Sequence, residues 1–179
     1  MARPRNGRKR IRPYVEGVSR AVRRNKRTVG WWRIVGLIKI TAGDKWFSEC
    51  VRERAAWTCQ RCKTQYNRDD KNSRMGLHCA HWHSRGNWFT RFDVSNALAL
   101  CMGCHLFTQR ERDEHRKLML QHYGEIELDR LAYDRNRPAY GVKKRVSEIA
   151  KHYRGELAKM QAQRAEGVTG RLEFEGWSP

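Results

Sequence analysis

Cys59-Gln60-Arg61-Cys62 and Cys101-Met102-Gly103-Cys104-His105 bracket the stretch whose reading decides the fold. Each holds a Cys-x-x-Cys pair, and 38 residues lie between Cys62 and Cys101. Zinc takes four thiolates in tetrahedral geometry, and a Cys-x-x-Cys turn aims two sulfurs at one ion. A redox dithiol needs only one such pair in a βαβ setting, and no such setting is legible here. Cys59, Cys62, Cys101 and Cys104 are therefore expected to hold a structural Zn²⁺, with Arg61 and Lys63 easing the thiolate charge. Of the two remaining cysteines, Cys50 reads as a small buried hydrophobe. Cys79 lies in the segment between the pairs.

Outward from this staple the chain is short and basic. It has 179 residues, 38 Lys and Arg against 19 Asp and Glu, and a net charge of +19. Its hydrophobic fraction is 39% and its mean hydropathy is −0.90. That composition predicts a small core for the length, which a structural metal can brace. The excess charge points to a polyanion, because each phosphate neutralised releases counterions. A balanced Lys/Glu surface would solubilise without the excess. The apolar run from Trp31 to Ile40 is broken by Arg33 and Lys39 and falls short of the ~20 residues of a membrane span. No apolar h-region follows the basic N-terminus, so a reducing, cytoplasmic setting is expected, the host cytoplasm if the gene is a phage's.

The organisation reads in three parts. Residues 1–30 form a basic arm: eleven Lys and Arg against the single acid Glu16 leave +10. Arg8, Lys9, Arg10, Arg23, Arg24, Lys26 and Arg27 are its candidate phosphate contacts. Residues 31–135 hold the zinc-stapled domain, and 136–179 a C-terminal helix and tail. Trp31 to Ile40 is a strand or a buried helical turn. Asp44 is the expected N-cap of a helix over Lys45 to Trp57. A charged helix follows from Arg110 to Tyr123, capped by Gly124. Asn136-Arg137-Pro138 breaks the chain. Val142, Val146, Ile149, Tyr153, Leu157 and Met160 recur three or four apart, predicting an amphipathic helix of about seven turns ending near Gly167. Its stripe packs on its own domain or forms a homodimer seam.

Between the pairs lie Gly76-Leu77-His78-Cys79-Ala80-His81-Trp82-His83-Ser84-Arg85-Gly86 and Arg91-Phe92-Asp93-Val94-Ser95-Asn96, and the second pair ends in His105. The arrangement resembles the HNH, or ββα-metal, endonuclease family in its zinc-stapled branch. His81, Asn96 and His105 stand where that family carries its three signature residues. Asp44 to Ser48, Val51 to Arg54, Cys79 to His81 with Arg85, Arg91 to Asp93, and Tyr123-Gly124 resemble phage NinG (Rap)-type recombination nucleases, over about residues 44 to 160.

The resemblance implies an α+β fold: a β-hairpin followed by a helix, braced by zinc, with added helices. It implies metal-dependent cleavage of DNA phosphodiester bonds in phage or prophage recombination or DNA processing, possibly on branched or single-stranded DNA. It gives His81 as general base, since imidazole titrates near working pH. His105 would be a ligand of a catalytic Mg²⁺ or Mn²⁺. Asn96 would hold the loop that orients the base, and Arg85 and Arg91 would clamp phosphates. One position departs. The residue before the base, an Asp or His in many relatives, is Ala80, which has no ligand atom. His78, His83 or Asp93 is left to complete the metal site. The alternative function is a non-cleaving, zinc-containing DNA- or RNA-binding module. Trp82, Trp88 and Phe89 either cap a small core or stack on unpaired bases, with the core role preferred.

Overall fold

The computed structural model describes residues 38–178. The arm assigned to residues 1–30 and residues 31–37 of the apolar run lie outside the described residues. The end of that run, residues 38–40, is neither strand nor helix, and Ile40 is exposed.

Helix α1 (Ala42–Arg54) begins at Thr41, not at Asp44. Asp44 is the third helical residue, and the two form a capping box: Thr41 N–H donates to Asp44 Oδ2 at 2.7 Å, and Asp44 N–H to Thr41 Oγ1 at 3.4 Å. The helix ends at Arg54, three residues before the expected Trp57, because Ala56 and Trp57 take left-handed backbone angles (φ 49° and 55°). A single turn, α2 (Ser73–Gly76), leads into strand β1 (Leu77–His81). Residues 82–96 connect it to β2 (Ala97–Cys101), which pairs antiparallel with Leu77 opposite Cys101 and His81 opposite Ala97. Helix α3 (Met102–Arg110) starts with no intervening loop.

The expected charged helix is α4 (Arg112–Tyr123), closed by Gly124 at φ 80° with its N–H on the Leu120 carbonyl. Helix α5 (Glu125–Asp134) was not expected. The last helix, α6 (Val146–Ala165), has 20 residues, shorter than the seven turns read from its stripe, because Val142–Arg145 is a separate 3₁₀ turn. Among the described residues the architecture is α+β, with six helices and one two-stranded sheet. No helix among the described residues is long and apolar enough to cross a membrane.

The core lies between α1, α6 and the hairpin. Phe47, Cys50 and Val51 of α1 meet Ile149, Tyr153 and Met160 of α6, and the buried cluster continues through Leu77, Ala97 and Ala99 on one face of the hairpin and Ala80, Leu98 and Leu100 on the other. The close approach needs glycine at position 43, where a Cβ would lie 3.1 Å from Phe92 and from Ile149. The α6 stripe is thus buried inside its own chain, and the homodimer seam proposed for it is not available. Cys50 is fully buried, as expected, with its thiol toward the Tyr153 carbonyl.

Arg91 is 1% exposed and Asp44 4%. The guanidinium grips the carboxylate with Nε on Oδ1 at 2.8 Å and Nη2 on Oδ2 at 2.6 Å. It also donates to the carbonyls of Lys39 and Arg85. This corrects the reading of Arg91 as a phosphate clamp, because its donors face inward and are used. Burial pushes the Asp44 carboxyl up, but hydrogen bonds from Arg91 and Thr41 outweigh it and hold it below the ordinary value. Replacing Asp44 with Ala strands a buried cation, and a loss of roughly 3–5 kcal/mol in urea denaturation is expected. A midpoint within error of the parent would refute this role.

Candidate active site and metal centre

The four knuckle sulfurs lie within 4.8 Å of one another. Cys62 Sγ and Cys101 Sγ are 3.7 Å apart, close to the ~3.8 Å edge of a tetrahedron with ~2.3 Å zinc–sulfur bonds. Backbone amides support the donors: Cys101 N–H reaches Cys59 Sγ at 3.3 Å, and Cys104 N–H reaches Cys101 Sγ at 3.4 Å. Arg61 Nη1 approaches Cys104 Sγ at 3.7 Å. Hydrogen bonding with Thr64 lowers the Cys62 thiol to about 6. The cluster can hold a metal ion such as zinc. Gln60 fastens its first knuckle to β2, its amide N–H on the Ala99 carbonyl and its Oε1 accepting from Ala99 N–H, both at 2.8 Å.

The second knuckle is also the first turn of α3, which carries His105 toward β1. His105 Nδ1 stands 3.1 Å from His78 Nδ1. His78 Nε2 lies 2.8 Å from the Met75 carbonyl, which can only accept, so that nitrogen bears the hydrogen and Nδ1 the lone pair. His105 Nε2 lies 3.2 Å from the Gln109 side-chain amide. Gln109 presents its Nε2, which can only donate, so His105 Nε2 accepts and His105 Nδ1 carries the hydrogen that points at the His78 lone pair. Two nitrogens bonded to one ion at ~2.0–2.1 Å stand roughly 3.0–3.4 Å apart. The two rings are thus hydrogen-bonded to each other, at a spacing that two ligands of one cation could also take if the Gln109 amide turned and His105 changed tautomer. Gln109 was missed in the sequence, although its i, i+4 spacing from His105 on a helix was a usable signal.

The other candidates for the second ligand are elsewhere. His83 is buried beside Trp82, and Arg135 and Arg112 are the charges it feels. Asp93 caps the turn Val94–Asn96 through Ser95 N–H and pairs with Arg130 at 2.8 Å. Neither is placed with His105; His78 is.

His81 ends β1 with its Nε2 3.1 Å from the Arg91 carbonyl. Nε2 is again the donor, which leaves Nδ1 as the basic nitrogen, with Cys79 Sγ 4.0 Å away. The ring rests on Phe47. Burial lowers its pKa to about 4, helped by the charge of Arg85. Burial and the charges of His78 and Arg85 also lower His105. Arg85 is half-buried and has no ion pair among the described residues, unlike Arg91. Asn96 is fully buried. Its Oδ1 accepts from His83 N–H at 2.8 Å, and its Nδ2 donates to the His83 and Thr90 carbonyls at 3.0 and 2.8 Å. It staples the loop that carries Arg85 and the Arg91 carbonyl behind His81.

Comparison with known protein families, characterised proteins and solved structures finds no match to this chain.

Two histidines near the site have buried Nε2 atoms without a hydrogen-bond partner among the described residues, His83 and His115. Burial, with Arg112 nearby, holds each near 4 against an ordinary 6.5. The folded state therefore binds fewer protons than the unfolded chain in this window. Their stabilisation is complete above pH ~6.5 and is lost as pH falls toward ~4. Thermal melts over that range are expected to show falling stability, with a shallower slope for His115→Gln. Parallel slopes for parent and variant would refute the linkage.

Proposed function

We propose that this chain is a metal-dependent DNA endonuclease of the HNH, or ββα-metal, class, hydrolysing phosphodiester bonds with a structural zinc on Cys59, Cys62, Cys101 and Cys104. The carrying observation is the 3.1 Å His78–His105 Nδ1 pair, set on a strand and helix of one hairpin–helix unit that also presents His81. His78 supplies the ligand that Ala80 cannot.

The chemistry follows from these residues. His81 is neutral at physiological pH and can take a proton from water through Nδ1, while its Nε2–H stays on the Arg91 carbonyl. Arg85 offers an unpaired guanidinium for a phosphate beside both histidines. Asn96 keeps the loop fixed without touching substrate. His78 and His105 would hold a divalent ion, which would supply charge stabilisation for the phosphate and the leaving oxygen. Two imidazoles and no carboxylate suit Mn²⁺ better than Mg²⁺. A role in phage or prophage recombination or DNA processing, and a taste for branched DNA, rest on the NinG-type resemblance.

The test is cleavage of supercoiled plasmid and branched DNA by purified protein with Mn²⁺ or Mg²⁺. Cleavage is expected to be faster with Mn²⁺. His81→Ala is expected to lose at least about a hundredfold, the usual scale of a general base. His78→Ala and His105→Ala should lose activity and weaken Mn²⁺ binding measured by calorimetry. All variants should retain one zinc per chain by elemental analysis. No metal-dependent cleavage on either substrate would leave the non-cleaving binding module as the correct reading. Full activity in His78→Ala would remove it from the metal site.

A further inference from the structure

A cavity bordered by Trp88 and Phe89 of the Asn96-stapled loop takes no part in that chemistry. It measures about 240 Å³, and its walls include Trp88, Phe89, Phe92 and Trp177. One side is Arg130, locked in ion pairs with Asp93 and Asp134 at 2.8 Å each. The volume lies below the ~300–1,000 Å³ of pockets that enclose whole drug-sized ligands, and suits one flat ring system. The aromatic walls carry cations over their faces. Arg137 stands 4.4 Å from the Phe89 ring, Lys143 5.6 Å from Trp88, and Arg145 4.8 Å from Trp177.

Trp88 is shared with an open groove of about 530 Å³ along the segment after α5. Arg135, Lys143 and Lys144 line it, all exposed and without an ion pair among the described residues. Tyr140 stands in the same groove 91% exposed. It is a large aromatic held out in water beside cations that have no ion pair among the described residues.

We propose that this groove and cavity bind unpaired DNA. One base enters the cavity against Trp88 and Trp177, a neighbouring base stacks on Tyr140, and phosphates follow Arg135, Lys143 and Lys144. Aromatic platforms alternating with free cations are the physical pattern for single strands, since every base has a stackable face. A paired base cannot leave its stack to enter a cavity walled in part by aromatics without the cost of flipping. The site would favour substrates with an unpaired segment, such as a fork, gap or junction. The inference rests on the reading that the chain binds DNA, and not on its cleaving it.

The test uses the full-length, zinc-loaded protein in buffer without Mn²⁺ or Mg²⁺. Fluorescence anisotropy compares a labelled 12-nucleotide single strand with a duplex of the same length. Tighter binding of the single strand is expected, weakened about tenfold in Trp177→Ala and in the surface pair Lys143→Glu/Lys144→Glu, with duplex affinity changed much less. The charge pair keeps the test decisive if Trp177→Ala does not fold. A 2-aminopurine in the strand should be quenched on binding, and less so with Trp177→Ala. Equal affinity for both forms, or single-strand binding unchanged in the charge pair, overturns the proposal. So does full competition by an oligo-glutamate peptide, which would point to an acidic protein partner. Plasmid cleavage is scored separately. Single-strand preference without cleavage fails the nuclease reading alone, and cleavage without single-strand preference fails this inference alone.

Discussion

The bidentate pair between Asp44 and Arg91 is the contact on which the site's geometry depends. Asp44 is fixed first, by the capping box that starts α1 and by the helix N-terminus it sits in. Arg91 then ties that helix to the loop between the strands, and its remaining donors hold the Lys39 and Arg85 carbonyls. The carbonyl of Arg91 itself receives His81 Nε2–H. One buried ion pair thus holds in place the carbonyl that sets which nitrogen of His81 is basic. Neither member touches a substrate in this arrangement. Their exposure, 4% and 1%, places them among groups that must be paired to be tolerated at all.

Much of the site was legible in the sequence, for different reasons at different residues. Two Cys-x-x-Cys spacings constrain chemistry directly, so the cluster needed no fold to be seen. Asn96 was named only through the HNH resemblance, and its burial with three backbone partners was visible only in the structure. The His78–His105 pairing was visible only as one option among three. Strand alternation could place His78 on a face, but which histidine α3 delivers depends on how the helix leaves β2. Arg91 was misread for a general reason: sequence gives a cation's charge but not the direction of its donors. Helix α5 escaped because its apolar residues do not form one stripe: Leu128 and Leu131 are buried, while Ile126 and Tyr133 are 88% and 69% exposed.

The same ambiguity runs through the whole basic composition. Several arginines are construction members rather than ligands for anything. Arg54, 1% exposed, donates to the Val94 and Ala97 carbonyls at the entry to β2. Arg52 holds the Leu77 carbonyl at the start of β1, and Arg164 bridges the Glu53 and Gly170 carbonyls. In a chain with a small apolar core, long planar donors reach across gaps that aliphatic side chains cannot fill while satisfying backbone groups. The cations left over, Lys143 and Lys144 among them, are therefore a better guide to a polyanion surface than the total charge.

Helix α1 is buried chiefly by α6, the last helix of the chain. The hairpin and its cysteine cluster lie between them in sequence and are built from closer contacts. During synthesis the knuckles can form while α1 still has no cover. Phe47, the support under the His81 ring, settles only when Tyr153 arrives to pack against it. Long-range closure of this kind is slow and comes late. The support under the His81 ring is thereby set after the cysteine cluster, whose residues are all made before α6.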